Sequence, residues 1–390
     1  MEPVKPYDPW LHRYYSRYGQ RRSRTEPLEI LFLIGSADIS GGTTVIFEHA
    51  DFARRHGANV RLAALYPLAD AAKSWHPAMD ELEIIPIDDA ADRAYDLVVA
   101  TWWPTVFELP RFRFRHAVYF VQSAEARFGA DNPANRESAL AELTLRMGLP
   151  IITITTWLQA YLAFAHNTPA FLASNGIKKE LYGPEGPAEA PRPKSGLRVL
   201  VEGSTQAPMK GVQEAIECAR AGGADEVWLL TPSPETTVPG CDRVFSRIPA
   251  AECAAVYRSC DVLVKLSRVE GMFGPPLEMF HCGGTVICYD VTGYDEYVES
   301  RYNGLVAPMG DRAAVSDHVA SLRADPGLLD ELRRNALETA SHWPDWATAS
   351  RHFLHLLQIV AEQPPMDYLP SVLMASGAVP LYERVVTGHE

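Results

Sequence analysis

The sequence predicts an α/β protein of two domains, each built around a parallel sheet. Three observations predict it. The chain has 390 residues, more than one hydrophobic core ordinarily serves. Short, mostly apolar runs such as Glu29 to Ile34 and Tyr95 to Ala100 recur along it, and helical stretches follow several of them. Runs of that kind belong to strands buried on both faces. Between Tyr182 and Ser195 the chain breaks into Pro184, Pro187, Pro191 and Pro193 with Gly183 and Gly186, the composition of a domain linker. The expected organisation is an arm over 1–27, a first domain over 28–183, a linker over 184–195, a second domain over 196–345 and a terminal segment over 346–390.

The arm holds Trp10, Tyr14, Tyr15 and Tyr18 among Arg13, Arg17, Arg21, Arg22 and Arg24. Such a segment either packs its rings on the first domain or touches an anionic membrane or an acceptor. It lacks the clean amphipathic period of a membrane-surface helix, which favours packing. Glu29 to Ile34 is the first strand. Gly41 and Gly42 then open a helix from Thr43 to about His56, with Val45, Ile46, Phe47, Ala50 and Phe52 as its apolar residues. Gly57 stops that helix and Val60 to Leu65 is the second strand, completing a βαβ opening. The Gly-x-Gly-x-x-Gly fingerprint of a dinucleotide enzyme is missing, which weakens an NAD-dependent reading. Tyr95 to Ala100 and His116 to Val121 are further strands, the second ending in Gln122-Ser123-Ala124-Glu125. Pro150 to Ile154 is another, leading into a helix near Trp157.

The second domain opens with the strand Leu197 to Val201, a loop from Glu202 to Gly211, and a helix from Val212. Strands follow at Glu226 to Leu230 and Arg243 to Ile248, then a helix from Ala251 to Cys260. Val262, Leu263, Val264 and Leu266 form a buried strand ending near Ser267, and Thr285 to Tyr289 another. Helices are expected over Asp311 to Arg323 and Pro326 to His342, and a last one carrying Trp346, Phe353, Leu356 and Leu357 on its apolar stripe.

The net charge of −13 speaks against a general nucleic-acid binder, which would show a basic face. It leaves room for a nucleotide in a locally positive pocket. No apolar run reaches about 18 residues, so no membrane span is expected, and MEPVKPYDPW lacks the apolar core of a signal peptide. The expectation is a cytoplasmic protein with at most peripheral membrane contact. The six cysteines form no Cys-x-x-Cys and His281-Cys282 has no partner at metal-ligand spacing. They read as buried reduced thiols, with no metal site among them.

One stretch organises the rest. Arg268 to Asp290 carries Glu270 and Glu278 eight positions apart, with Gly271, Gly274, Pro275 and Pro276 between them. It follows a buried strand, and the prolines fit at or just before a helix start. Ligands of open α/β sheets bind outside the carboxyl ends of strands, and a helix start attracts anions. Glu270 suits the hydroxyls of a sugar and Glu278 a ribose diol, while the glycines allow close backbone approach to a phosphate. Taken alone, the same residues also read as an ordinary βα connection with one exposed and one capping glutamate.

The stretch E-G-M-F-G-P-P-L-E-M-F-H-C-G resembles the donor-site signature of retaining GT-B glycosyltransferases, more narrowly their large family-four group, with the spacing of the two acids kept. The segment between the glycines is lengthened to Met272-Phe273. YFVQSAEARF resembles a rhamnosyltransferase-like branch, Asn175-Gly176-Ile177 resembles the turn closing the first domain, and Asn303-Gly304-Leu305-Val306 a later hairpin. The resemblance covers roughly residues 29–345. It implies two Rossmann-like parallel-sheet domains facing a cleft, with the terminal segment crossing back onto the first.

What the resemblance implies about residues is this. Lys210, in the Lys-Gly ending the Glu202–Gly211 loop, neutralises a diphosphate. Ser204 stands where relatives carry arginine, and with Thr205 is a neutral donor. Gly41 and Gly42 face the donor phosphates, Gly271, Met272, Phe273 and Gly274 supply loop contacts, and Glu278 holds the ribose. Arg247 and Ile248 lie near the base. Glu270 orients the sugar. Gln122 and Glu125 lie where an acceptor or transferred sugar fits, with Gln122 where many relatives carry histidine. The implied activity is retaining transfer of a sugar, a deoxysugar such as rhamnose among the options, from a nucleoside-diphosphate sugar to a hydroxyl-bearing saccharide or natural-product acceptor. No Asp-x-Asp follows a strand, so neither a metal nor a further cofactor is expected. The alternatives are a non-catalytic nucleotide-sugar-binding or partner protein of the same architecture and, more remotely, a sugar-nucleotide epimerase.

Overall fold

The computed structural model describes residues 27–67, 75–128 and 136–364. The aromatic and arginine residues of the arm, from Trp10 to Arg24, lie outside the described residues, as does the tail from 365 to 390. The chain divides into two units: residues 1–175 with 347–390, and Gly176–Trp346.

The first unit runs β1 (Glu29–Ile34), α1 (Gly41–Arg55), β2 (Asn59–Ala64), β3 (Glu83–Pro86), β4 (Ala94–Ala100), α2 (Trp103–Phe107), β5 (Arg113–Val121), α3 (Arg136–Leu145), β6 (Ile151–Thr153), α4 (Thr156–His166) and β7 (Ala170–Leu172). Its described strands form one parallel sheet in the order β3-β2-β1-β4-β5-β6-β7. The order reverses between β1 and β4, where crossover connections leave toward opposite faces and open a crevice at the strand ends. Ser40 caps α1 by accepting from Thr43 N at 3.0 Å. Leu31, Leu33, Val98, Ala100, Ala117 and Tyr119 fill one face of the sheet.

The second unit runs β8 (Arg198–Glu202), α5 (Val212–Ala221), β9 (Glu226–Thr231), β10 (Arg243–Ser246), α6 (Ala250–Ser259), β11 (Val262–Lys265), α7 (Gly274–His281), β12 (Thr285–Tyr289), β13 (Gly304–Ala307), α8 (Arg312–Ala324) and α9 (Pro326–His342). Its sheet is parallel in the order β10-β9-β8-β11-β12-β13, with the reversal between β8 and β11. The stretch expected as a hairpin at Asn303 is not one. β13 pairs parallel to β12, Val286 opposite Gly304 and Tyr289 opposite Ala307, and Asn303 sits beneath it with its amide bonded to Tyr297 O and Thr339 Oγ1.

The division between units falls ahead of the proline-rich stretch, which packs on the second unit. Arg192 donates to the carbonyls of Cys260, Cys282 and Gly283 at 2.8–2.9 Å, and Arg258 donates to Pro187 O at 2.6 Å and Leu181 O at 3.0 Å. These side chains tie the stretch to the second unit through backbone carbonyls. The last helix, α10 (Trp346–Ala361), packs into the first unit. Its Phe353 stacks on His49 at 4.1 Å between ring centroids and meets Phe120 edge-on at 4.8 Å. His49 is buried and bonded through Nδ1 to Ser350 Oγ at 2.9 Å, and burial lowers its pKa to about 3 against the pull of Glu48. A neutral imidazole in the core follows. All six cysteines are free; four are buried, whereas Cys241 and Cys253 are only partly so. No helix among the described residues is long and apolar enough to cross a membrane.

Candidate functional site

The switch point of the second sheet gathers most of the residues singled out above. β8 ends at Glu202 and β11 at Lys265, so two charged side chains flank the place where strand order reverses. After β8 the loop tightens into a single turn over Pro208–Lys210 and leaves through Gly211 at φ 61°. A Cβ at Gly211 would fall onto the Leu266 carbonyl oxygen. Only glycine brings this turn so close to β11. The approach is fixed from the other side by Arg268 N donating to Met209 O at 2.8 Å.

That closeness brings Lys210 to Glu270. The Lys210 ammonium lies 2.7 Å from Glu270 Oε1, and Lys265 Nζ lies 3.9 Å from the same oxygen. Glu270 is 8% exposed, and its backbone is tied to Thr292, whose hydroxyl donates to Glu270 O at 3.0 Å. Burial pushes the Glu270 carboxyl upward, but Lys210 and Lys265 outweigh it and hold the net pKa below the usual range. Glu270 is therefore an anion at neutral pH. Lys265 is 2% exposed and donates to Glu202 Oε2 at 2.6 Å and Glu202 O at 3.2 Å. Burial works against its charge, yet Glu202 and Glu270 raise its pKa on balance.

Glu278, on α7, behaves in the opposite way. Burial and then the Glu202 carboxylate push it up to about 7, while Tyr257, Tyr182 and Lys265 pull it down. The two acids of the motif are thus driven apart, one firmly ionised and one poised near neutrality. The start of α7 also differs from expectation. Gly274 N is bonded to Met272 O at 3.0 Å, and Pro275 and Pro276 have no N–H to give. This helix start offers an anion its dipole but few free N–H donors.

Among the loop residues, Gly271 is buried and Met272 half-buried. The Phe273 ring lies fully in the core and its carbonyl accepts from Tyr297 OH, so its side chain is an anchor. Ser204 and Ser233 share a hydrogen bond of 2.9 Å between hydroxyls, and Thr205 N donates to Ser233 Oγ at 3.1 Å. Where a basic side chain was expected to be replaced by a neutral donor, the structure has a small hydroxyl network. Arg247 has φ 54°, left-handed and unusual for arginine, fixed by its N donating to Thr231 O at 2.9 Å and its Nε to Pro232 O at 3.0 Å. Ile248 packs against the core.

In the first unit, Gly41 and Gly42 form the first turn of α1 beside the other switch point. Gln122, just past β5, donates to Gly42 O at 3.4 Å. Glu125 accepts from Trp103 N at 3.1 Å and lies 3.4 Å from Tyr119 OH. Burial pushes it up to about 8, with the Trp103 amide and Tyr119 opposing. His116 is fully buried within β5, three residues from its start and away from the end that carries Gln122. Gln122 thus meets Gly42 while Glu125 is held by Trp103 and Tyr119, all in the first unit, and Ser204, Thr205, Lys210, Glu270 and Glu278 belong to the other unit.

Sequence reasoning missed Glu202 and Lys265. A signal was present: a lysine at the end of the otherwise apolar run Val262–Leu266 breaks the pattern of a strand buried on both faces and requires a partner. Tyr182 and Tyr257, beside Glu278, carried no such signal because aromatic residues are ordinary core.

Residues 206–340 match the family model described as Glycosyl transferases group 1. The O-antigen biosynthesis protein RfbC of Myxococcus xanthus is 27% identical over 343 residues, covering 80% of this chain and 25% of that protein. This chain therefore spans about a quarter of that relative's length. Among solved structures, Anabaena Alr3699/HepE in complex with UDP-glucose superposes with a TM-score of 0.67 at 17% identity, covering 85% of this chain and 99% of that one. Sucrose-phosphate synthase (tll1590) from Thermosynechococcus elongatus gives 0.66 at 17% identity over 85% and 98%. The chain has the GT-B fold of two parallel-sheet α/β units, and the match to the glycosyl transferases group 1 model lies within its second unit.

Proposed function

We propose that the protein transfers a sugar from a nucleoside-diphosphate sugar to a hydroxyl of a saccharide or natural-product acceptor, with retention of configuration and without a metal. The observation that carries this reading is the Lys210–Glu270 pair at the β8/β11 switch point, 2.7 Å apart and inside the matched domain. In it, Lys210 and the amides of the loop after β8 neutralise the diphosphate as it leaves. Glu270, held ionised, accepts hydrogen bonds from the sugar's hydroxyls and orients it. Glu278 accepts from the ribose. The leaving phosphate takes the acceptor's proton on the face it departs from, so the new bond forms on that same face. On the first unit, we assign Gln122 and Glu125 to the acceptor or the transferred sugar. A deoxysugar such as rhamnose is the donor sugar we favour, on the YFVQSAEARF stretch. A role in building a surface polysaccharide is supported by the RfbC relative.

Turnover measured in the presence of EDTA tests this reading. Glu270→Ala and Lys210→Ala should each lower kcat on the order of a hundredfold or more, as loss of a transition-state contact does. Near-normal turnover in both variants would refute the assignment.

A further inference from the structure

Glu270 has two cationic neighbours of different character. Lys210 stands on a turn with its side chain 31% exposed and is the nearer, at 2.7 Å. Lys265 ends a strand, is 2% exposed, and lies 3.9 Å away. Lys265 is fixed from below, because both the carboxylate and the backbone carbonyl of Glu202 accept from it. A diphosphate arriving at the loop competes with Glu270 for Lys210. Glu270 is 8% exposed, and a buried carboxylate that loses its only counter-ion protonates or moves. Either event would spoil a group whose task is to accept hydrogen bonds in a fixed place.

We propose that Lys265, anchored by Glu202, is the counter-ion that remains with Glu270 when a donor diphosphate draws Lys210 away. Lys265 is a positioning residue: it acts through Glu270. The inference rests on the donor-site reading above. The charged and titratable groups around the pair are Lys210, Glu202 and Glu278, with Tyr297 also near Glu270. Glu278 in turn faces Tyr257 and Tyr182. Lys265 is thus the cation within this group that a ligand reaching the exposed turn does not contact first.

The experiment is titration calorimetry of the full chain with UDP-glucose and with dTDP-glucose, in paired buffers of different ionisation enthalpy between pH 6 and pH 8. The diphosphate diester of these probes has no group titrating in that range, so any proton exchanged belongs to the protein. Wild type is compared with Lys265→Met and with the doubly neutral Glu202→Gln/Lys265→Met, which leaves no unpaired buried charge should the single variant fail to fold. With Lys265 gone, Glu270 takes up a proton as Lys210 leaves it. The variants should absorb roughly half a proton or more per ligand beyond wild type. Their affinity should fall as pH rises, by up to about tenfold per pH unit. Equal proton uptake in wild type and variants, or binding lost in folded variants at every pH, overturns the inference and leaves the donor-site reading standing. Failure of wild type to bind either nucleotide sugar overturns the donor-site reading itself, and this inference with it.

Discussion

Replacing Glu278 by Gln should stabilise the protein and weaken nucleotide binding together. A carboxyl whose pKa is higher in the folded than in the unfolded state favours folding while protonated. That contribution is full below about pH 4.5 and is lost as pH rises through about 7. Above that range both states are ionised, and the folded one bears the cost of a half-buried anion beside Glu202. Holding a carboxyl at about 7 in place of 4.5 sets an upper bound of about 3 kcal/mol, since each pKa unit is worth about 1.4 kcal/mol. Partial exposure to solvent screens this to about 1–2 kcal/mol. Gln keeps the shape and cannot ionise. Thermal melting of wild type and Glu278→Gln should therefore differ by about 2–8 °C more at pH 8 than at pH 5, in favour of the variant. The same variant should bind UDP-glucose about tenfold more weakly, since a neutral amide is a poorer acceptor for the ribose diol. An equal effect on melting at both pH values, or unchanged binding, would refute the reasoning.

Further outcomes follow from the same geometry. Gly211→Ala forces a side chain into a left-handed position and onto the Leu266 carbonyl, which should cost about 2–4 kcal/mol in denaturant unfolding and uncouple Lys210 from Glu270; a loss below about 0.5 kcal/mol would contradict the tight approach. Phe353→Ala, which removes the ring between His49 and Phe120, should destabilise the first unit by about 3–5 kcal/mol, measured by urea unfolding. Glu125→Gln should raise the melting temperature at pH 9 and leave it nearly unchanged at pH 5, because burial holds Glu125 protonated up to about 8; the reverse order would remove Glu125 from its buried setting.

The fold was legible because its strands are buried on both faces. β1, β4 and β12 appear in the sequence as mostly apolar runs with the bounds, or nearly the bounds, they have in the structure. β3 and β7 were not legible: β3 is a four-residue edge strand, Glu-Ile-Ile-Pro, and β7 has only three residues. Asn303-Gly304 carried a turn signal, but the turn delivers a parallel edge strand, and strand direction is set by the crossover through the structure and not by two local residues. In the site, the spacing of Glu270 and Glu278 was visible, while their opposite protonation behaviour was not. It depends on Lys265 and Glu202, which come together only through the pairing of β8 with β11. The loss of N–H donors at the start of α7 could have been read from Pro275-Pro276 alone.

The measurement that tests the central claim most directly is a titration of nucleotide sugars against wild type and Glu270→Ala in EDTA, followed by thermal shift. The account predicts that at least one nucleotide sugar raises the midpoint of wild type without metal, and that the rise shrinks by several degrees or disappears in Glu270→Ala. No shift from any nucleotide sugar, or an equal shift in the variant, would contradict a donor site built on the Lys210–Glu270 pair.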